Sequence, residues 1–487
     1  MTQASCGWRH SALVLDDGTL HVAGDDEHGQ LGLGEGNEAV VGGVLTHPVC
    51  PSMTPVPGLG KLKVVQVSCG RSHTAFVCDA GELYSMGLGL YGQLGHGLLV
   101  SESQPKLVPN VGGGAASVSC GDLHTLVLRA DGRALSCGFN DAGRLGRVLG
   151  DPEATCAESL GVLPLNAAAA AASDAFAVVA LAAGGAHSAL VTADGSVYTC
   201  GRGEQGQLGH GREAASVSDG SGGERLPRRV GALKQHKIRR TALGQSHSLF
   251  LSQGGEAFAC GCGMYGRLGI GSRENAFVPL PVSLDGIVIV QISAGACHSS
   301  FVSEGGRVYL CGDDSTGQLG LDRAKATSLT PMQPPKFSSR EGVQVLGASC
   351  GGQHTAFLLR TVVDAKSDYR EDQITYAATV IEALFRGKHE RVKRDAVRAR
   401  KSGGRADVHH SAKQREGAAA VLQAAWRLHL GVLERERRDQ LMQLRALRDH
   451  GDDDRWWGRI QRQFDAAATS NVFAEAHGNR TILRASW

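Results

Sequence analysis

The sequence predicts an all-β ring of four-stranded blades, a β-propeller, followed by an α-helical tail, and three linked recurrences carry that prediction. The first is Gly-x-x-His-Ser/Thr followed by an apolar run, which returns seven times, at His10, His73, His124, His187, His247, His298 and His354. The second is an apolar strand after a glycine turn, as in Gly81-Glu82-Leu83-Tyr84 and Gly195-Ser196-Val197-Tyr198. The third is a Gly-x-Leu-Gly turn, at Gly29, Gly92, Gly143, Gly206, Gly266 and Gly317. Seven histidine motifs are thus accompanied by six of these turns.

Successive histidines lie 63, 51, 63, 60, 51 and 56 residues apart. That spacing accommodates four strands per unit and is too long for leucine-rich or ankyrin repeats. Within each unit, an Asp-Gly or Gly-Gly step between two apolar runs calls for a tight turn, so each pair reads as a β-hairpin. The 67 glycines and 14 prolines suit many close turns, while only 5% of residues are aromatic. The core is therefore expected to be Val, Leu, Ala and Cys packed between blades.

Together the three motifs resemble the regulator of chromosome condensation repeat, over roughly residues 4 to 361. The resemblance implies a seven-bladed propeller. Cutting the repeat between the histidine hairpin and the glycine-turn strand leaves six complete blades between about Gly18 and Leu359, with the motif at His10 left over. The family's chains supply a further glycine-rich half before the first histidine motif. One blade is thus expected to be incomplete beside Met1, unless the gene begins upstream or Thr361-Val362-Val363 lends a strand to close it.

Most of the 13 cysteines recur at equivalent places. Cys6, Cys69, Cys120 and Cys350 precede the glycine of the histidine motif, and Cys137, Cys200, Cys260 and Cys311 precede the glycine closing the second strand. Recurrence at one place per blade reads as a packing slot for a small apolar side chain. Disulfide or zinc readings are weaker, because Cys260 and Cys262 lack the second pair a zinc site requires. The seven histidines are spread around a ring, so no three converge on one ion. They are read as structural, each bonding a backbone group at its hairpin. No Ser-His-Asp set, paired carboxylates or phosphate loop stands out, so no catalytic residue, metal or cofactor is assigned. The long connections at 34–60, 148–178 and 211–232 are places where a rigid ring could mount a binding surface, or low-complexity excursions.

After about residue 364 the composition changes. Residues 1–365 hold 26 Lys/Arg and 31 Asp/Glu, a net −5, whereas 366–487 hold 24 and 17, a net +7. The propeller is assigned to 1–363 and a basic helical tail to 364–487. Near 378–395, Ile381-Glu382-Ala383-Leu384-Phe385-Arg386-Gly387-Lys388-His389-Glu390-Arg391 resembles an IQ motif, which implies calmodulin binding. Ile381, Leu384 and Phe385 share a helical face, and Arg386, Lys388 and Arg391 offer cations to an acidic lobe. Glu382 departs from the expected glutamine and removes a hydrogen-bond donor. A second candidate near 418–432 keeps Leu422, Gln423, Trp426 and Arg427 but replaces the glycine and the last arginine by Leu428 and Val432. Ile460-Gln461 keeps only the opening. The alternatives for these stretches are a helix packed on the ring, a solvated helix, or one lying on a membrane surface.

The expected function is a non-enzymatic interaction scaffold, with a protein partner on the propeller and calmodulin or a calmodulin-like protein on the tail. The alternative is guanine-nucleotide exchange on a small GTPase, which the founding member of the family performs. The ultraviolet-photoreceptor version of the fold is similar at Gly7-Trp8-Arg9-His10-Ser11, but it needs a tryptophan cluster and Trp8 is alone in the ring. A HECT ligase would require a larger tail with a cysteine beyond Cys350. An acidic ring argues against nucleic acid. No run of about 20 apolar residues appears, so no membrane span is expected, and a cytoplasmic or nuclear location is.

Overall fold

The computed structural model describes residues 3–361 apart from 35–38, 42–43, 47–48, 113, 152–153, 166–176, 213–222, 322–326 and 335–342. Strands Gln3–Cys6, His10–Val14, Leu20–Asp25 and Val49–Pro55 form the first blade as an antiparallel meander, named a to d from the axis outward. Five further four-stranded blades repeat the arrangement over 64–107, 115–162, 178–229, 238–281 and 289–332. The last unit is a two-stranded sheet, Val343–Cys350 paired with Thr355–Thr361.

The expected count of seven blades is thus corrected to six complete blades and one two-stranded unit. The cut chosen on the sequence was also out of phase. The His10 motif belongs to a complete blade, and the unit left short contains His354. A repeat's period is the same wherever it is cut, so only the sheet hydrogen bonds reveal where a blade starts. Thr361 ends the last strand opposite Val343, while Val362 and Val363 lie outside the described residues.

The b-strands explain the apolar runs. His73–Cys78, His187–Thr192 and His247–Ser252 are buried at every position, because each has a strand on both sides and a blade on both faces. Opposite the histidine of each complete blade stands a glycine with φ between 101° and 116°, from Gly24 in the first blade to Gly312 in the sixth. A Cβ at Gly138 would lie 2.5 Å from the Leu123 carbonyl oxygen and 2.6 Å from the His124 Cα, so no other residue fits there.

Three of the six d-strands lie inside the stretches that read as loops. Val49–Pro55, Cys156–Val162 and Gly223–Arg229 are half exposed and carry no repeat signature. Five of the six contain proline, as in Ser103-Gln104-Pro105 and Leu329-Thr330-Pro331. A proline on an outer strand blocks further pairing at the blade's edge.

Packing between blades follows the turn motif. The leucine of each Gly-x-Leu-Gly is at most 3% exposed. The last glycine of the turn sits over the next blade's sulfur: Gly32 on Met86, Gly95 on Cys137, Gly146 on Cys200, Gly209 on Cys260 and Gly269 on Cys311. The recurring cysteine is therefore a packing residue, as its spacing suggested, and all 13 thiols are free. Burial pushes the Cys137 and Cys200 thiols up to about 12, which keeps them protonated and unreactive.

Candidate interaction face

Two loops of each blade emerge on the same end of the ring: the a–b loop carrying the histidine motif and the c–d loop carrying Gly-x-Leu-Gly. Beneath this face the seven histidines form a closed circuit. Each donates from Nε2 to the Ser or Thr hydroxyl beside the next histidine: His10 to Thr74 at 2.9 Å, His73 to Thr125 at 2.9 Å and His124 to Ser188 at 2.9 Å. His187 to Ser248, His247 to Ser299 and His298 to Thr355 continue it, and His354 to Ser11 at 2.8 Å closes it.

The tautomer follows from the hydroxyls. Thr74 donates its own proton to the Gln30 carbonyl at 2.8 Å and Thr125 to that of Gln93 at 2.6 Å, so each hydroxyl is left to accept. The histidine therefore carries its proton on Nε2. Desolvation in this sealed layer lowers His10 and His187 to about 3 and His73 to about 4, so these imidazoles are neutral at physiological pH. The expected partner of each histidine was a backbone group at its hairpin. Their partner, however, is the next blade's hydroxyl, not a backbone group of their own hairpin.

Above the histidines runs a second circuit, of backbone bonds. The residue after each motif glycine donates its N–H to the glycine carbonyl of the next unit: Trp8 to Gly70 at 3.2 Å, Arg71 to Gly121 at 3.2 Å and Asp122 to Gly184 at 3.2 Å. Gly185, Gln245 and Ala296 follow, and Gly352 closes onto Gly7 at 3.0 Å. The mouth of the axial channel is thus sevenfold in backbone and asymmetric in side chains. Trp8, Arg71 and Asp122 occupy one arc, whereas Gly185, Ala296 and Gly352 leave the other nearly bare. The Arg71 guanidinium lies 4.8 Å from the Trp8 ring and 3.8 Å from the Asp122 carboxylate. Burial raises Asp122, and the charges of Arg71 and Arg144 act against that rise.

Four of the six turns place glutamine after their first glycine, and its Oε1 accepts an N–H within the same turn, as Gln93 does from Tyr91 at 3.0 Å. The other two place Arg144 and Arg267, which reach across the seam to the next a–b loop. Arg144 donates to the Gly185 carbonyl and Arg267 to that of Ala296, each at 3.0 Å. Arg144 is also paired with Asp141, which Arg202 approaches at 3.4 Å.

The rim is apolar to an unusual degree. Leu90, Tyr91, Leu98, Leu99 and Val100 stand exposed on the second blade's c–d loop, and Met264 and Tyr265 on the fifth's. Tyr91 is braced against Phe139 of the third blade, with ring centroids 5.2 Å apart. Tyr265 is held at φ 64°, a conformation that disfavours any side chain. On the opposite face only Val288 is a large exposed apolar residue among the described turns.

The predicted calmodulin-binding residues Ile381, Glu382, Leu384, Phe385, Arg386, Gly387, Lys388, Arg391, Leu422, Gln423, Trp426 and Arg427 lie outside the described residues. The apolar rim was missed on the sequence because Leu90-Tyr91 and Met264-Tyr265 sit inside the repeat, next to turn glycines that report the fold. Their place ahead of the turn glycine, on the outward side of the turn, was the available signal.

Geometry of this kind defines a class: a closed propeller whose blades are cross-linked by histidine–hydroxyl pairs and glycine turns. The RCC1-like domain model matches residues 91–363, and the regulator of chromosome condensation (RCC1) repeat models match 17–77 and, in two segments, 1–30 and 64–93. The chain belongs to the RCC1 repeat family. It is 30% identical to the ultraviolet-B receptor UVR8 of Arabidopsis thaliana over 354 residues, 72% of this chain and 73% of that protein. It is 29% identical to the human E3 ubiquitin-protein ligase HERC2 over 388 residues, 69% of this chain but 8% of the ligase. Human WBSCR16 superposes with a TM-score of 0.61 at 25% identity, covering 74% of this chain and 88% of that one. Prp20p of Saccharomyces cerevisiae superposes with a TM-score of 0.61 at 20% identity, covering 74% and 83%, which is a likeness of fold.

Proposed function

We propose that the protein is a non-enzymatic interaction scaffold that binds a protein partner through the c–d loop rim. The observation that carries this reading is the apolar group Leu90, Tyr91, Leu98, Leu99 and Val100, exposed on a loop anchored by Tyr91 against Phe139. Rigid, exposed aromatic and aliphatic side chains beside arginines are the composition of binding hot spots. The charged arc of Arg71, Asp122 and Arg202 supplies a polar border for orientation. His10, His73, His124, His187, His247 and His298 take no part, since they are fully buried. Tyr265 supports the same face, because a partly exposed aromatic held in a left-handed conformation, with Arg267 5.7 Å from its ring centroid, is presented at the rim. The basic residues 364–487 are proposed to bind calmodulin or a calmodulin-like protein, on the strength of the IQ-like residues from Ile381 to Arg391.

Replacing Leu98 and Leu99 by Asp should leave the melting temperature unchanged and abolish recovery of partners from a cell extract by the tagged full-length chain. Equal recovery by both forms would rule out the rim. Titration of calmodulin into the full chain, with and without calcium, tests the tail, with Arg386→Glu as control. The second reading, nucleotide exchange on a small GTPase, would use the same rim. Prp20p, whose structure concerns binding to Gsp1p and histones, shares the fold, and the exchange reading draws on that relative and the family. Unchanged nucleotide release across a panel of small GTPases would remove it.

A further inference from the structure

The d-strand of the fourth blade differs from the other five in its charge. Gly223–Arg229 carries three arginines, Arg225, Arg228 and Arg229, whereas the remaining d-strands together carry a single cation, Lys106, which is paired with Glu102. The connection to the fifth blade continues the run with Lys234 and Lys237, and Arg239 and Arg240 open the next a-strand. Residues 224–240 therefore hold seven Lys/Arg against one acid, Glu224, a net +6, while the rest of 1–365 has a net −11. Positive charge is gathered into one sector of an otherwise acidic ring.

These cations give little to the fold. Arg225, Arg228, Arg229, Lys234, Lys237 and Arg240 are exposed, and of the six only Arg228 forms an ion pair among the described residues, with Glu224 at 2.6 Å. Protection of the blade's edge does not account for them. Pro227 already interrupts pairing there, and the d-strands of the first, fifth and sixth blades manage with prolines and no cation. Arg239 is the exception, since its guanidinium donates to the Ile289 carbonyl at 3.1 Å and so fixes one positive charge at the inner end of the run.

The seven-residue strand descends about 20 Å from the c–d turn to the opposite face. The turn Gly231–Leu233 then leads inward beneath the blade to Lys234 and Lys237, so the cations follow a bent path over the blade's edge. Leu226, 46% exposed, is the apolar residue along it. Exposed carboxylates border the path: Glu158 on the third blade's d-strand, and Glu256 and Asp285 on connections of the fifth. A flat bilayer meets only one side of a bent path. A nucleic-acid duplex, with one charge per ~1.7 Å of its axis, continues past the cations onto those carboxylates. A short, flexible polyanion does neither. We infer that Glu224–Arg240 is a docking surface for an acidic, extended segment of a partner polypeptide, with carboxylates on the arginines and lysines and one apolar side chain over Leu226. This surface does not use the apolar rim.

The test uses the full chain and a fluorescent peptide of about ten residues, alternating Asp and Glu around one central Leu and bearing a photo-crosslinker. Saturable binding that weakens with salt is expected, with crosslinks mapping to 224–240. Lys234→Glu with Lys237→Glu should weaken binding about tenfold or more, whereas Lys61→Glu with Lys63→Glu should change it by less than about twofold. The second pair makes the same change of charge on the connection between the first and second blades. Lys63 and Lys237 are equivalent positions, each lying against the b–c turn glycine of the blade before, Gly18 and Gly195, so the two variants share any cost to folding. Crosslinks confined to 364–487, or equal losses from both pairs of changes, would overturn the inference. So would a DNA duplex of about 20 base pairs, or a phosphatidylserine vesicle, that binds more tightly than the peptide and loses as much to Lys234→Glu with Lys237→Glu.

Discussion

At the scale of single residues, the histidine circuit makes a definite statement about pH. Burial holds six of the ring histidines below their free value, with His10, His187 and His298 at about 3 and His73 at about 4, against 6.5 when free. Between those values the unfolded chain binds a proton that the folded chain refuses. Stability is therefore intact above pH 6.5 and falls as the pH drops toward 3, by up to about 1.4 kcal/mol per pH unit for each histidine. Urea unfolding from pH 7.5 to 4.5 should show this slope, and His187→Gln, which keeps a donor for Ser248, should reduce it by one group's share. Asp26 acts with the opposite sign. Burial raises its carboxyl to about 6 while Oδ1 accepts the Leu31 N–H at 2.8 Å, so its charge destabilises the fold above pH 6. Asn140 makes the equivalent bond to Leu145 in the third blade. Asp26→Asn should accordingly stabilise the protein at pH 8 by on the order of 1 kcal/mol and have no effect near pH 4.

At the scale of elements, glycine decides where strands cross. Gly138 stands at φ 112° with its absent Cβ pressed between the Leu123 carbonyl and His124, whereas nothing lies within 4 Å of the space beside Gly150. Gly138→Ala should cost about 3 kcal/mol or more, and Gly150→Ala less than about 0.5 kcal/mol, by urea unfolding. Equal costs would mean that the glycines reflect composition and not geometry. The a, b and c strands were legible in the sequence because turn and strand signals are local and repeat in register. The d-strands were not. Cys156–Val162 and Gly223–Arg229 are polar, half exposed and paired on one side only, so no periodicity marks them. The rim was illegible for a related reason: Leu90 and Tyr91 occupy a turn whose outward direction is set by Phe139 on another blade.

At the scale of the whole molecule, closure rests on the two-stranded unit. Cys6 N–H bonds the Ser349 hydroxyl at 3.0 Å, and the Cys350 N–H bonds Ser293 at 2.9 Å. The same bond recurs mid-ring, from Cys120 to Ser68. The Gln291 amide donates to the Ala348 carbonyl and accepts from its N–H, as Gln66 does with Val118. Thr355→Val and Thr125→Val each remove a pair of bonds of one kind, to a histidine and to a turn carbonyl. Each should cost about 2–4 kcal/mol, because two buried groups lose their partner. Only Thr355→Val should also speed amide exchange in Gln3–Cys6 and Thr355–Leu359, since among the described residues that unit has two strands where the others have four. Identical exchange patterns in the two variants would show that closure is as firm there as elsewhere.

The sequence by itself determined the repeat, its sevenfold inner count, the glycine turns and the role of the cysteines, because hairpin and turn preferences act over a few residues. Tertiary structure alone decided where each blade begins, that the histidines bind hydroxyls across seams, and that the short unit is 343–361. Those are relations between segments 50 to 350 residues apart, created when the ring closes and carried by no local pattern.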